Sequence, residues 1–93
     1  MNVSTYLSER ETERLNRKAE ENFTSKSTLF RQEADITTVD LIIYKVNAEK
    51  GQLHGSFNVS TEISDQIDFL SVAMSVSKST IIYSIVRAII EKG

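Results

Sequence analysis

The residues of this chain that could do chemistry are few, and their types point away from catalysis. There is one histidine, His54, and no cysteine. With no second imidazole and no thiolate, a dedicated metal site at His54 is not expected, and disulfides are excluded. No Ser/His/Asp set, Gly-rich phosphate loop or His/carboxylate cluster stands in a recognisable context, so no enzyme and no cofactor is expected. Two other polar groupings remain. One is the pair of alternating segments Asn2-Val3-Ser4-Thr5-Tyr6-Leu7 and Leu53-His54-Gly55-Ser56-Phe57-Asn58-Val59. The other is the repeated Ser25-Lys26-Ser27-Thr28 and Ser77-Lys78-Ser79-Thr80. Taken alone, an alternating strand is ordinarily half-buried with one solvated face, and a serine before a helix ordinarily caps it.

The elements that must position these residues are clearest in the second half. The alternation over Leu53 to Val59 has the period of a strand with one wet face. Ser60 then stands where it can cap a helix. Ile63, Ile67, Leu70 and Met74 recur at spacings of one helical turn and make an apolar stripe. Ser77 is placed to cap a second helix carrying Ile81, Ile82, Ile85, Val86, Ile89 and Ile90, which Glu91-Lys92-Gly93 brings to an end. That second helix is apolar around most of its circumference. A lone strand and two helices cannot bury it, so another chain or the N-terminal half must cover it.

The first half repeats the pattern at an offset of 52 residues. The offset aligns the two Ser-Lys-Ser-Thr segments, the two alternating strands, Leu7 with Val59, Ser8 with Ser60, Leu15 with Ile67, Leu29 with Ile81, Phe30 with Ile82 and Ala34 with Val86. Ser8 and Glu11 fit a capping box. Strand, helix and helix therefore occur twice. The copies are unequal: Glu11, Lys18, Asn22, Glu33 and Thr37 stand where the second copy has Ile63, Leu70, Met74, Ile85 and Ile89. The first copy should not be stable alone. Ile36 to Lys50 has no counterpart; Ile36, Val39, Ile43 and Val46 suggest a prolonged or additional helix, with a strand over Leu41 to Val46 as the alternative.

The chain has 93 residues, 40% of them hydrophobic, and a net charge of −2. That length makes one small domain or two very small units sharing a core, and oligomerisation is a natural source of further buried surface. The negative sum argues weakly against nucleic-acid binding, because phosphate attraction depends on local charge. Glu9 to Glu21 reads as a solvated helix face. Glu13–Arg17 is a favourable pair and Arg10–Arg14 is not, so the arginines look for a partner outside the helix, phosphate or an acidic neighbouring chain. Met1 opens directly into polar sequence and the run Ile81 to Ile90 is broken by Ser84 and Arg87, so neither a signal peptide nor a membrane span is expected. The expectation is a cytoplasmic protein, or one in the host cytoplasm if viral.

Strand, helix and helix of these lengths with a Ser-Lys-Ser turn resemble the ribbon-helix-helix (MetJ/Arc/CopG-like) DNA-binding regulators. The resemblance covers Leu53 to Gly93 well and Asn2 to about Asp40 less closely. Two units in one chain look like the tandem forms of that family, as in TraY or regulators of archaeal viruses. The polar core of the first unit and the absence of Arg or Lys on either strand depart from the pattern. The resemblance implies a mostly α fold with short β-ribbons. Unit one would span 1–40, a helical extension or linker 41–52, and unit two 53–93. They would pair as a pseudo-dimer within one chain or as an intertwined dimer between two. It further implies a ribbon entering the major groove of double-stranded DNA, with Asn2, Ser4, Tyr6, His54, Ser56 and Asn58 facing base edges. Phosphates would sit at Ser25, Lys26, Ser27, Ser77, Lys78 and Ser79, where helix N–H groups, dipole and lysine all favour an anion. The expected function is a sequence-specific transcription regulator, repressor or autoregulator, acting as a homo-oligomer on DNA. The alternatives are an antitoxin-like dimerisation module and a conjugation accessory protein that binds DNA.

Overall fold

The computed structural model describes residues 1–37 and 53–91. The expected extension or linker over 41–52, and the alternative strand over Leu41 to Val46, lie outside the described residues. The elements run β1 (Asn2–Leu7), α1 (Glu9–Glu21), α2 (Lys26–Thr37), β2 (Leu53–Asn58), α3 (Thr61–Ala73) and α4 (Lys78–Glu91). Among the described residues the fold is thus mostly helical, with one two-stranded antiparallel sheet.

Local sequence sets the helix boundaries, and it does so in the same way at positions 52 residues apart. Ser8 caps α1 by accepting from the Glu11 N–H at 3.1 Å, and the Glu11 carboxylate accepts from the Ser8 N–H at 2.9 Å, completing a capping box. Ser60 caps α3 by accepting from the Ile63 N–H at 3.2 Å. Isoleucine cannot return the second bond, so α3 has only half of the motif. Helices α1 and α3 both end in a left-handed residue, Phe23 (φ 52) and Ser75 (φ 55). The next residue then donates back across the turn, Thr24 to the Ala19 carbonyl and Val76 to the Ser71 carbonyl, both at 3.0 Å. Ser25 and Ser77 cap α2 and α4 by accepting from the Thr28 and Thr80 N–H groups, each at 3.1 Å. Ser8→Ala should lower stability by about 1 kcal/mol, the usual cost of a lost N-cap. The backbone N–H from which the Glu11 carboxylate accepts survives the substitution, so urea denaturation should show a similar loss for Ser8→Ala and Ser60→Ala.

Helix α4 runs through the centre. Ile81, Ile82, Tyr83, Ser84, Ile85, Val86, Ile89 and Ile90 are all buried, which is most of its circumference. The cover is supplied by the same chain: β1, α1, α2 and α3 all pack on it. Ser84 is tolerated in this core because its hydroxyl donates to the Thr80 carbonyl at 2.7 Å, one turn back. Across the core, Phe30 of α2 stacks on Phe57 of β2 with ring centroids 4.6 Å apart and planes 11° from parallel. Of the expected α3 stripe, Ile63 and Ile67 are buried and Leu70 is partly so, whereas Met74 lies past the last turn and is exposed. Among the described residues no single helix is long and apolar enough to cross a membrane. The bent pair α3 and α4 passes on length and composition together, but α4 is occupied by the core.

Candidate nucleic-acid interface

The antiparallel register of the ribbon is Asn2↔Asn58, Val3↔Phe57, Ser4↔Ser56, Thr5↔Gly55, Tyr6↔His54 and Leu7↔Leu53. Alternation turns Thr5, Leu7 and Phe57 into the core. Asn2, Tyr6, Ser56 and Asn58 are exposed and Ser4 is half-buried, so these expected contact residues share the outer face. His54 is placed by the register opposite Tyr6. The ladder continues past β1, where the Val59 N–H donates to the Met1 carbonyl at 2.8 Å. Ser4 and Ser56 mark the centre of the ribbon, because they pair with each other and are also related by the offset of 52.

The two Ser-Lys-Ser segments flank this face, but their three residues do different things. Ser25, Lys26, Ser77 and Lys78 are exposed at the starts of α2 and α4. Ser27 and Ser79 turn toward the ribbon. The Ser27 hydroxyl accepts from the Asn58 N–H at 3.1 Å. Ser79 meets Thr5, whose hydroxyl donates to the Ser79 carbonyl at 3.0 Å and lies 2.8 Å from the Ser79 hydroxyl. Each second helix is thereby tied to the ribbon through the third residue of its Ser-Lys-Ser segment, while the first two stay in solvent. The lysines are not equivalent either. Lys78 Nζ lies 3.0 Å from Asp68 Oδ1. Both groups are largely exposed, so the pair is weak. It sits at one edge of a shallow depression between β1, α3 and the start of α4.

Sequence reasoning missed a cation at the ribbon. Arg31 of α2 donates to the Asn58 carbonyl at 3.3 Å and to the Thr28 hydroxyl at 3.2 Å. Neither strand carries Arg or Lys, and the charge arrives instead from a helix one turn beyond the Ser-Lys-Ser segment. The available signal was the offset itself: position 31 corresponds to Tyr83, a core residue, so an arginine there must face something other than a greasy core.

Away from the ribbon, the polar residues of the first half are accommodated individually. Glu11 lies against α4, where the Tyr83 hydroxyl donates to its carboxylate. Burial first, and then the neighbouring Glu11 carboxylate, push the Tyr83 phenol above its usual pKa, so it stays a donor. Arg87 approaches the same carboxylate at 3.8 Å and pairs with Glu91 at 3.0 Å. Glu33 is buried in the α2 face of the core, only 4% exposed. Of the α1 charges, Arg14 donates to the Ile90 carbonyl in the last turn of α4 at 3.3 Å, and Arg10, Glu13 and Arg17 line an exposed depression beside it. The partner for Arg14 outside its own helix is thus a helix C-terminus. Among the described residues no cluster of His, Cys, Asp or Glu could hold a metal ion.

Comparison with known protein families, with curated proteins and with solved structures gave no match.

Proposed function

We propose that the chain is a sequence-specific DNA-binding transcription regulator, a repressor or autoregulator, built as two tandem ribbon-helix-helix units that pair within one chain. The observation that carries this reading is the ribbon: two antiparallel strands whose outer face is Asn2, Ser4, Tyr6, Ser56 and Asn58, with a capped helix start on either side. A major groove admits a two-stranded ribbon. Asn2 and Asn58 can each offer a donor and an acceptor together to adenine, and the serines can do either. Tyr6, half exposed, can pack on a thymine methyl or reach a phosphate. Caps use one N–H at each helix start, and the earlier N–H groups of the turn have no partner in their own helix. With Lys26 and Lys78 they suit two phosphates that would fix the register. A cytoplasmic location, or a host cytoplasm, follows from such a role.

Salt-dependent polarisation titration on DNA from the protein's own promoter, and on a random-site library, tests the reading; absence of salt-sensitive binding on both would sink it. Lys78→Ala should weaken binding to all sequences alike and reduce the salt slope by about 0.9 if one phosphate contact is lost. Asp68 competes for that ammonium, so Asp68→Asn should strengthen binding in the same non-selective way.

A second reading, an antitoxin-like interaction module, is favoured by a different observation. Phe69 and Val72 on α3 are 70% and 80% exposed, and Phe23 is 97% exposed. On that reading a Lys26→Ala/Lys78→Ala variant keeps every partner.

A further inference from the structure

Each half of the chain supplies one strand, so the choice of pairing partner decides which side chains make up the ribbon face. The two halves are similar enough that the C-terminal half, with its richer apolar core, could pair with a C-terminal half from another copy. One cluster of side chains distinguishes the alternatives. Glu11 of α1 accepts from the Ser8 N–H through Oε1 at 2.9 Å and from the Tyr83 hydroxyl through Oε2, with Arg87 at 3.8 Å from the same oxygen. Arg87 also donates to the Tyr83 hydroxyl at 3.3 Å and lies over the Tyr83 ring, 6.0 Å from its centre. Glu11 belongs to the N-terminal half; Tyr83 and Arg87 belong to the C-terminal half.

We infer that this Glu11–Tyr83–Arg87 cluster is a partner-selecting device that makes the two halves of one chain pair with each other and disfavours pairing of two C-terminal halves. The reason lies in the offset of 52, which puts Ile63 at the place of Glu11. Two C-terminal halves would set Ile63 against Tyr83 and Arg87, leaving the buried Tyr83 hydroxyl without its acceptor. Two N-terminal halves would set Glu11 against Arg31 at the place of Tyr83, with no phenol to donate to it. Only the mixed pair gives a carboxylate, a phenol and a guanidinium in one place. Glu11 acts here as a positioning residue, and the discrimination comes mainly from the cost of the wrong pairs.

The chain has no cysteine, so introduced thiols report the pairing directly. Ser4 and Ser56 are opposite each other in the ribbon, at a separation a disulfide can span. In a ribbon of two C-terminal halves with the corresponding register, Ser56 would face Ser56 of the other copy. On mild oxidation, S4C/S56C should close within one chain and remain monomeric on a non-reducing gel. S56C alone should give only traces of linked dimer, even at concentrations approaching the roughly millimolar effective concentration of a tethered half. In the Glu11→Ile background the S56C dimer should rise roughly 5- to 30-fold, the change in equilibrium that loss of a buried hydrogen-bonded contact produces. Equal S56C dimer in both backgrounds overturns the inference, and so does a dimer joined from S4C of one copy to S56C of another. Should Glu11→Ile fail to fold, Tyr83→Phe decides: it keeps the ring in the core and removes the donor, and the same rise is expected. No rise there overturns the inference as well. The readout contains no DNA, so it stands or falls apart from the DNA-binding reading.

Discussion

Phe57→Ala should destabilise the chain by about 3–5 kcal/mol. A single small domain is typically stable by only about 5–15 kcal/mol, so a large part of the population should be unfolded at modest urea concentrations. Phe57 is 2% exposed and stacked on Phe30, which is fully buried. Removing one ring leaves the other facing a void and forfeits the aromatic contact along with the transfer free energy. The site cannot collapse easily, because Phe57 lies in a strand held on one side by the ladder to Val3. The corresponding position in the first half is Thr5, whose hydroxyl is tied to Ser79. Thr5→Ala should therefore cost far less, about 1–2 kcal/mol for a buried hydrogen-bonded hydroxyl. Urea denaturation of both variants checks the ordering. A loss below that of Thr5→Ala would mean that the stack contributes little.

Asn58→Ala should erase about 1–3 kcal/mol of discrimination at one base pair, roughly a 5- to 150-fold relaxation of preference there, with little change in affinity for unrelated DNA. The side chain is exposed while its backbone is anchored at both polar atoms: the N–H donates to the Ser27 hydroxyl and the carbonyl accepts from Arg31. Alanine keeps both anchors and gives up, with the amide, one exposed contact at 3.4 Å in which the Met1 ammonium donates to Asn58 Oδ1, so the ribbon should be little disturbed. The offset puts Tyr6, not a second asparagine, at the matching position of the other strand. The effect should therefore fall on one half-site, and the preferred site should lack palindromic symmetry, since half-sites mirror the symmetry of the protein that reads them. Competition titration against a set of single base-pair changes reads this out. Uniform weakening across the set would assign Asn58 to a phosphate or to nothing at all.

These two residues show how differently the chain discloses its features. The alternation around Phe57 and Asn58 is legible in sequence because a strand has period two, and the side of each residue follows from it. The helix starts are legible for a similar reason: Ser8, Ser25, Ser60 and Ser77 bond to N–H groups three residues away, and such local bonds need no knowledge of the rest of the chain. What Phe57 stacks on, and what holds the Asn58 backbone, were not legible. Phe30 reads only as an apolar residue on a helix, and Arg31 only as the charged residue after it.

The same division holds for the pairing of the halves. Sequence by itself determined that strand, helix and helix occur twice, that the first copy is polar at five positions where the second is apolar, and that an isoleucine-rich helix needs more cover than one copy can provide. It left the source of the cover open between this chain and another. Tertiary structure decided that β1 pairs with β2 and that β1, α1 and α2 of the N-terminal half join α3 in covering α4. It also turned Glu11 from an apparent defect in a core stripe into the acceptor for Tyr83, and gave Lys78 an acidic neighbour in Asp68. The physical reason is range. Caps, turns and alternation rest on bonds between near neighbours in sequence, whereas Glu11 with Tyr83, Asn58 with Arg31 and Thr5 with Ser79 are complementary only after the chain has brought distant residues together.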